Sequence, residues 1–441
     1  MPLTPQALEA VLASVKRFLD EAAKEERPAG PISFPNREWR IYDSGIKTFI
    51  YKQPETAAAL SAFRKKFETT AWLDKWSLRH LRDIEATIIA AAAARTPDDD
   101  LRKAIVDAVA SLEGEPPAFT DVLPITLLYL GPYELTLGNV TLQTIDDARV
   151  ADIRKTFNDI IDTVQNDDEE KTGFRKYVDD ITDLLKNRAC AFVAARGDAD
   201  RAQADALRDV EPVVDFLQLV AAVFEPSFKD IRISVGGDLL TKQPARLLIA
   251  ADKSFIQPRE NMLFGHRLEM NAGRMQQMRD GGFGPLIDAL SKPEAARTEF
   301  ERYLIRSMHW IADAERQERL ENRITGYVTA IDMFFATKGE PLTRDVTEGT
   351  AMLLGRELAN RKNIMKRMAE FYEMRSGVSH AGTATFDEDA VTRLKYYAVN
   401  FLSTVCGKAA QFKTKDEFRA WMADRRLGAV DESTREPPTA T

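Results

Sequence analysis

The chain has 441 residues, 44% of them hydrophobic and 29% charged, with a formal net charge of -8 at pH 7. That length accommodates two or three domains, each with its own core, and the composition is that of a globular rather than a disordered protein. No apolar run nears the roughly 20 residues that cross a bilayer, and the negative balance excludes uniform coating of nucleic acid.

The opening stretch, "MPLTPQALEAVLASVKRFLDEAAKEERP", lacks the basic start, apolar block and small-residue cleavage site of a secretion signal. It predicts an amphipathic helix, a cytoplasmic location and no membrane partner. Helix-forming text continues to about Leu112, interrupted by the Pro-rich "GPISFPNREWRIYDSG", which predicts a loop or short strands. "RTPDDD" stops the strong helix former "ATIIAAAAA" before the next helix begins. Residues 1–118 therefore read as a mostly helical first region.

After "EGEPPAF" the character changes, and "VLPITLLYLGPYELTLGNVTLQTI" combines β-branched alternation with turn glycines, predicting two or three strands. A helical block follows from Asp146 to Leu185. "ACAFVAARGDADRAQADALRDVEPVVDFLQLVAAVF" predicts a strand running through a short turn into a long helix, and "IRISVGG" and "ARLLIAADKSFI" predict further strands. Residues 119–290 thus read as an α+β domain. From about Ser291 nearly every segment has helical period, in roughly five helices ending near Arg426. Residues 291–426 predict an all-α bundle, and the polar, Pro-rich 427–441 a disordered tail. The fold class expected is mainly α with an α+β middle region.

Several chemistries lack their motifs. There is no GxxxxGK followed by Ser or Thr, no HExxH, GxSxG or CxxC, and "DGGFGP" at Asp280 reads as a glycine turn after a helix. Cys190 and Cys406 have no nearby thiol partner, which fits a reducing compartment and gives no metal-ligand spacing. The four histidines, at 80, 266, 309 and 380, are too scattered for a metal cluster, so neither metal nor cofactor is expected.

Attention falls on "FYEMRSGVSHAG". On a 3.6-residue wheel from Arg356 to Arg375, Ile364, Met365, Met368, Phe371 and Tyr372 share one face, with Lys362, Lys366, Glu370 and Glu373 opposite. Arg375 falls on the apolar face, where its guanidinium must reach a buried anion or a cleft. A helix break at Gly377 is expected to let His380 fold back beside it. Such a pair suits proton transfer by the imidazole and phosphate binding by the guanidinium. The spacing of Arg to His is degenerate, since Arg259 with His266 and Arg302 with His309 also match it. The "ERYLIRSMHWIAD" text around His309 predicts an unbroken helix and a packed or surface histidine. For Arg375 and His380, a helix C-cap and a functional site are both open on these grounds.

"RKNIMKRMAEFYEMRSGVSHAG" resembles the closing motif of HEPN domains, particularly the Apea-like branch, with a pattern Y-x-x-R-S-x-x-(V/S)-H-(G/A) at the end of a long bundle helix. "FERYLIRSMHWIADAERQERLENRITGYVTAIDMFFA" looks like that branch's first two helices and "VTEGTAMLLG" like its next, so the resemblance covers about the last third of the chain. It implies a HEPN-type helical bundle and a metal-independent endoribonuclease in a toxin or antiphage, abortive-infection protein. Arg375 and His380 would be catalytic, with Tyr372 and Ser376 of the motif in support. The family often has an acidic residue in its second helix near the site, and Asp332 stands in that place, open to a supporting or a salt-bridge role. Ser379 precedes the histidine where valine is common. The implied partners are RNA and a second copy docked through the C-terminal bundle, with a phage protein trigger or an antitoxin also open. The regions before the bundle would sense or regulate. A catalytically inactive HEPN module that acts as an RNA- or protein-binding scaffold is the alternative.

Overall fold

The computed structural model describes residues 4–24, 40–43, 48–51, 53–94, 97–163, 168–225, 231–235, 246–249, 256–259, 267–336, 342–381 and 388–427. The molecule is mostly helical, with a small antiparallel sheet in its middle and a helical C-terminal region. Two compact units divide the chain, the first made of residues 1–121 and 194–207, the second of 122–193 and 208–441. No helix among the described residues is long and apolar enough to cross a membrane.

In the first unit, α1 (Pro5–Ala23) starts where the Thr4 side chain accepts from the Ala7 amide at 3.2 Å and Pro5 opens the first turn. The short strands β1 (Arg40–Asp43) and β2 (Thr48–Tyr51) pair antiparallel, the first of them inside the Pro-rich interruption. They are followed by α2 (Pro54–Arg64), α3 (Thr70–Leu73), α4 (Leu78–Ala93) and α5 (Asp98–Glu113). Asp98, Asp99 and Asp100 in the first turn of α5 complement the positive end of the helix dipole. The helices close over Val15, Phe18, Leu60, Phe63, Phe67, Leu81, Ile88 and Ile105, all buried. Residues 194–207 complete this unit: Asp198 accepts from the Ser77 amide at 2.6 Å and the Ser77 hydroxyl at 2.7 Å.

The second unit contains β3 (Ala118–Pro124), β4 (Leu128–Tyr129), β5 (Leu135–Leu137), β6 (Val140–Thr144), the helical hairpin α6 (Asp147–Thr163) and α7 (Asp168–Leu185), then β7 (Ala189–Arg196) and the 26-residue α8 (Ala199–Phe224), whose ends and those of β3 and β7 cross the division between units. The sheet order is β3-β7-β6-β5, with β5–β6 and β6–β7 antiparallel and Val140 opposite Val193. The predicted strand in "IRISVGG" is corrected: residues 231–235 carry one isolated bridge, Ile125 to Val235, and residues 236–240 lie outside the described residues. Several groups share its backbone: Gln218 donates to the Ile231 carbonyl at 2.9 Å and accepts from the Ile233 amide at 2.8 Å, while the Thr126 amide donates to the Ser234 carbonyl at 3.0 Å. Strands β8 (Arg246–Ile249) and β9 (Ile256–Arg259) form an antiparallel pair, and β10 (Leu268–Glu269) lies parallel to β4.

From there the unit is helical. The "DGGFGP" turn is a single π-type turn, Arg279–Phe283, inserted between α9 (Ala272–Met278) and α10 (Gly284–Leu290), with Gly282 at φ 92°. Then come α11 (Glu299–Arg316), α12 (Leu320–Asp332), α13 (Leu342–Leu354), α14 (Leu358–Ala381), α15 (Glu388–Cys406) and α16 (Lys415–Arg426). Six helices therefore stand among the described residues where about five are expected. The Thr414/Glu417 capping box starts the last one afresh after the Gly407 break. Phe300, Phe334, Phe401, Phe412 and Phe418 stack edge-on or tilted with ring centroids 5.3 to 5.9 Å apart and form the centre of this region. Of residues 427–441, where a disordered tail is expected, all but Leu427 lie outside the described residues.

Candidate functional site

Helix α14 has the amphipathic face expected of it, with Ile364, Met368 and Phe371 buried while Lys362, Lys366 and Glu373 are exposed; Met365 is at the edge, 36% exposed. Arg375 extends from that face to α12. Its Nη1 donates to Oδ2 of Asp332, which is 5% exposed. Asp332 stands at the last residue of α12, and its backbone carbonyl accepts from the amides of Phe335 and Ala336, both at 2.8 Å, in the turn that ends the helix. Burial pushes the Asp332 carboxyl up to about 6, against the Arg375 guanidinium, which pulls it down. Its Oδ1, like the hydroxyl of Tyr372 one turn before Arg375, is buried and meets no hydrogen-bond partner among the described residues. Such orphaned atoms cost about 1–3 kcal/mol each.

Gly377 does not break the helix: α14 runs unbroken through position 380 to Ala381. One glycine costs a helix interior about 1 kcal/mol, too little by itself to end a long helix. On a continuous helix, positions 375 and 380 lie about 140° apart around the axis and about 7.5 Å along it. The expected helix break at Gly377 is thereby corrected. The side chains of Ser376 and His380 lie outside the described residues, as does His266.

His309 stands in the unbroken helix expected for it, but in a different role. Its Nδ1 is 2.7 Å from Oδ2 of Asp215 on α8, and Arg316 donates from Nη1 to the other oxygen at 2.6 Å. Arg316 is further held by the Ile233 carbonyl at 3.0 Å from its Nε. Asp215 is 2% exposed while the His309 side chain is 44% exposed. The hydrogen bond to Asp215 raises the His309 pKa above its ordinary value, burial opposing it. This carboxylate-oriented imidazole was not singled out from sequence. Two signals stand in the text: an Asp inside the apolar run "VVDFLQLV", and a step of seven residues from His309 to Arg316, which places both on one helical face. Arg302, the spacing partner of His309, turns away and donates to the Glu294 carbonyl at 3.2 Å. His80 in the first unit stacks on Trp76 with centroids 4.6 Å apart.

A second polar knot ties α11, α12 and α15. Lys395 Nζ donates to Glu315 at 2.8 Å, the Tyr327 hydroxyl donates to the other Glu315 oxygen, and Arg323 reaches Tyr327 at 3.3 Å. Burial above all pushes the Tyr327 phenol well up, and Arg323 is raised by Tyr327 and Glu315 against its own burial. Every member is largely buried and has a partner in the network, the Arg323 Nε alone of its polar atoms being buried without one among the described residues. Among the described residues no three His, Cys, Asp or Glu side chains are grouped as metal ligands are. No protein-family model, curated protein or solved structure matches the chain.

Proposed function

We propose that this protein is a metal-independent endoribonuclease of the HEPN type, in which the C-terminal helices carry the site and the regions before them sense or restrain, as suits a toxin or abortive-infection effector. The RNA's own 2'-oxygen attacks the adjacent phosphorus, and the bond from phosphorus to the 5'-oxygen breaks. The products are a 2',3'-cyclic phosphate and a 5'-hydroxyl. His380 moves the proton at the 2'-hydroxyl or the leaving oxygen, and Arg375 binds the phosphate and its developing charge. The observation that carries this reading is the Arg375–Asp332 pair, which aligns the motif's arginine by a buried acid from the helix where the resemblance expects one. The orphaned Asp332 Oδ1 and Tyr372 hydroxyl add unmet polar capacity around it.

A second reading is a non-catalytic HEPN module that binds RNA or a protein. It is favoured by the unbroken α14, which separates positions 375 and 380. Incubation of the purified protein with total RNA in EDTA separates the two. The nuclease reading expects cleavage that survives chelation and falls by about a hundredfold or more in His380→Ala, the usual worth of acid–base catalysis. Arg375→Ala should be comparably severe and Arg375→Lys a poor rescue, since lysine lacks the planar fork. Cleavage lost in EDTA and restored by a divalent ion sinks the mechanism. Turnover abolished in folded His309→Ala but intact in His380→Ala moves the proton-transfer role to the Asp215-held imidazole.

A further inference from the structure

The α6–α7 hairpin leaves an apolar stripe in water. Phe174, Tyr177, Ile181 and Leu184 on α7 follow one another at three, four and three residues, the spacing that lines one side of a helix and seats a partner helix. On α6, Phe157 and Ile160 do the same over one turn. All six are exposed, from 36% for Ile181 to 63% for Tyr177. The two helices run antiparallel, tied near their junction by Arg175 with Asp162 and at the far end by Arg154 with Asp183 at 2.9 Å. Counted from the inward-facing Ile161 and Val178, both apolar sets turn to the same side, so they form one face of the hairpin. Roughly half of six large side chains is on the order of 500 Å² of apolar surface, near the upper limit for the largest patch on a monomer.

The charge around this face selects what covers it. The hairpin helices hold ten acidic and six basic residues. Three of the six, Arg149, Arg154 and Arg175, are spent on Asp152, Asp183 and Asp162 of the hairpin itself. Exposed Glu170 and Asp180 flank the stripe, one turn before Phe174 and between Tyr177 and Leu184. A second copy laid on this face would bring these carboxylates against their like, and anionic lipid or nucleic acid would be repelled. We infer that the hairpin is a docking surface for an amphipathic helix of a partner protein, apolar on one side and lined by Lys or Arg. The stripe from Phe174 to Leu184 is about 15 Å long, which matches three turns of such a helix. This inference is independent of the ribonuclease reading.

The test is binding of the full chain to model peptides, followed by fluorescence anisotropy: an amphipathic Leu/Lys helical peptide of about 15 residues, its Leu/Glu counterpart, and a scrambled Leu/Lys peptide of equal charge. Saturable binding of the amphipathic Leu/Lys peptide alone is expected, weakened tenfold or more in Tyr177→Ser/Leu184→Ser. In Glu170→Lys/Asp180→Lys the preference should turn to the Leu/Glu peptide. All six side chains are exposed, so circular-dichroism melts of the variants should match the parent; should the serine pair fail to fold, the charge reversal decides alone. No binding, equal binding of the scrambled or acidic peptide, or indifference to the substitutions overturns the inference. So does a chain that sediments as a dimer which Tyr177→Ser/Leu184→Ser dissolves, since the face then belongs to a second copy.

Discussion

Asp332 holds a charge where solvent scarcely reaches, and the consequence is a measurable pH dependence. Its folded-state value of about 6 lies above the ordinary 3.8, so the folded protein binds the proton more tightly than the unfolded chain. Stability from this group is fully present below the unfolded value and is lost as pH rises through about 6. The rise corresponds to a loss on the order of 3 kcal/mol by pH 7. Asp332→Asn should therefore gain on the parent by about that amount between pH 4 and pH 7 in denaturant melts; a difference flat across that window would refute the account. His309 titrates in the next window. Its folded value is raised by Asp215, so its contribution is present below the unfolded value and disappears as pH climbs through the folded one. In His309→Gln the deficit in stability should be largest near pH 6 and shrink toward pH 9, with the parent imidazole titrating above its ordinary 6.5 by NMR. Arg375 and Asp332 were legible from the text because a motif and a helical wheel both pointed at them. Asp215 was not, because its contact with His309 spans 94 residues and leaves no local pattern.

Close helix packing rests on single positions. At Gly326 of α12 a Cβ would stand 2.8 Å from the Ala314 Cβ and 3.0 Å from the Trp310 carbonyl of α11, so the two helices approach at that glycine as near as backbones allow. Gly326→Ala should cost about 1–3 kcal/mol by forcing the pair apart, read as a lower denaturation midpoint; an unchanged midpoint would show that the contact yields freely. At Gly282 the φ of 92° and a Ser403 hydroxyl 2.8 Å from any Cβ leave no residue but glycine comfortable. The helical block expected from Asp146 to Leu185 matches the outer ends of α6 and α7, but its division into two helices is not legible in the text. "IRISVGG" has the alternation of a strand, yet distant groups such as Gln218 and Thr126 share its hydrogen bonds, and the single glycine of "RSGVSH" does not end α14.

For the whole molecule, positions 375 and 380 stand apart on one helix, and we propose that the nuclease is built from two copies, each lending one group to the other's site. Mixing inactive Arg375→Ala and His380→Ala proteins tests this directly. Shared sites would restore about a quarter of parental cleavage on random pairing, because half the dimers are mixed and each keeps one intact site. Sites contained within a single chain would leave the mixture as dead as its components. The division into units carries a different consequence, one of timing. The first unit is not a contiguous stretch: Asp198 grips Ser77 from 121 residues away, and Arg201 donates to the Leu73 carbonyl at 2.8 Å across 128. A ribosome delivers residues 1–121 long before these clasps, so the N-terminal unit emerges without its last piece and is completed only after the strands and the α6–α7 hairpin have been made. Synthesis order and assembly order are thus uncoupled at the first unit, and a fragment cut at residue 121 inherits that unfinished state permanently.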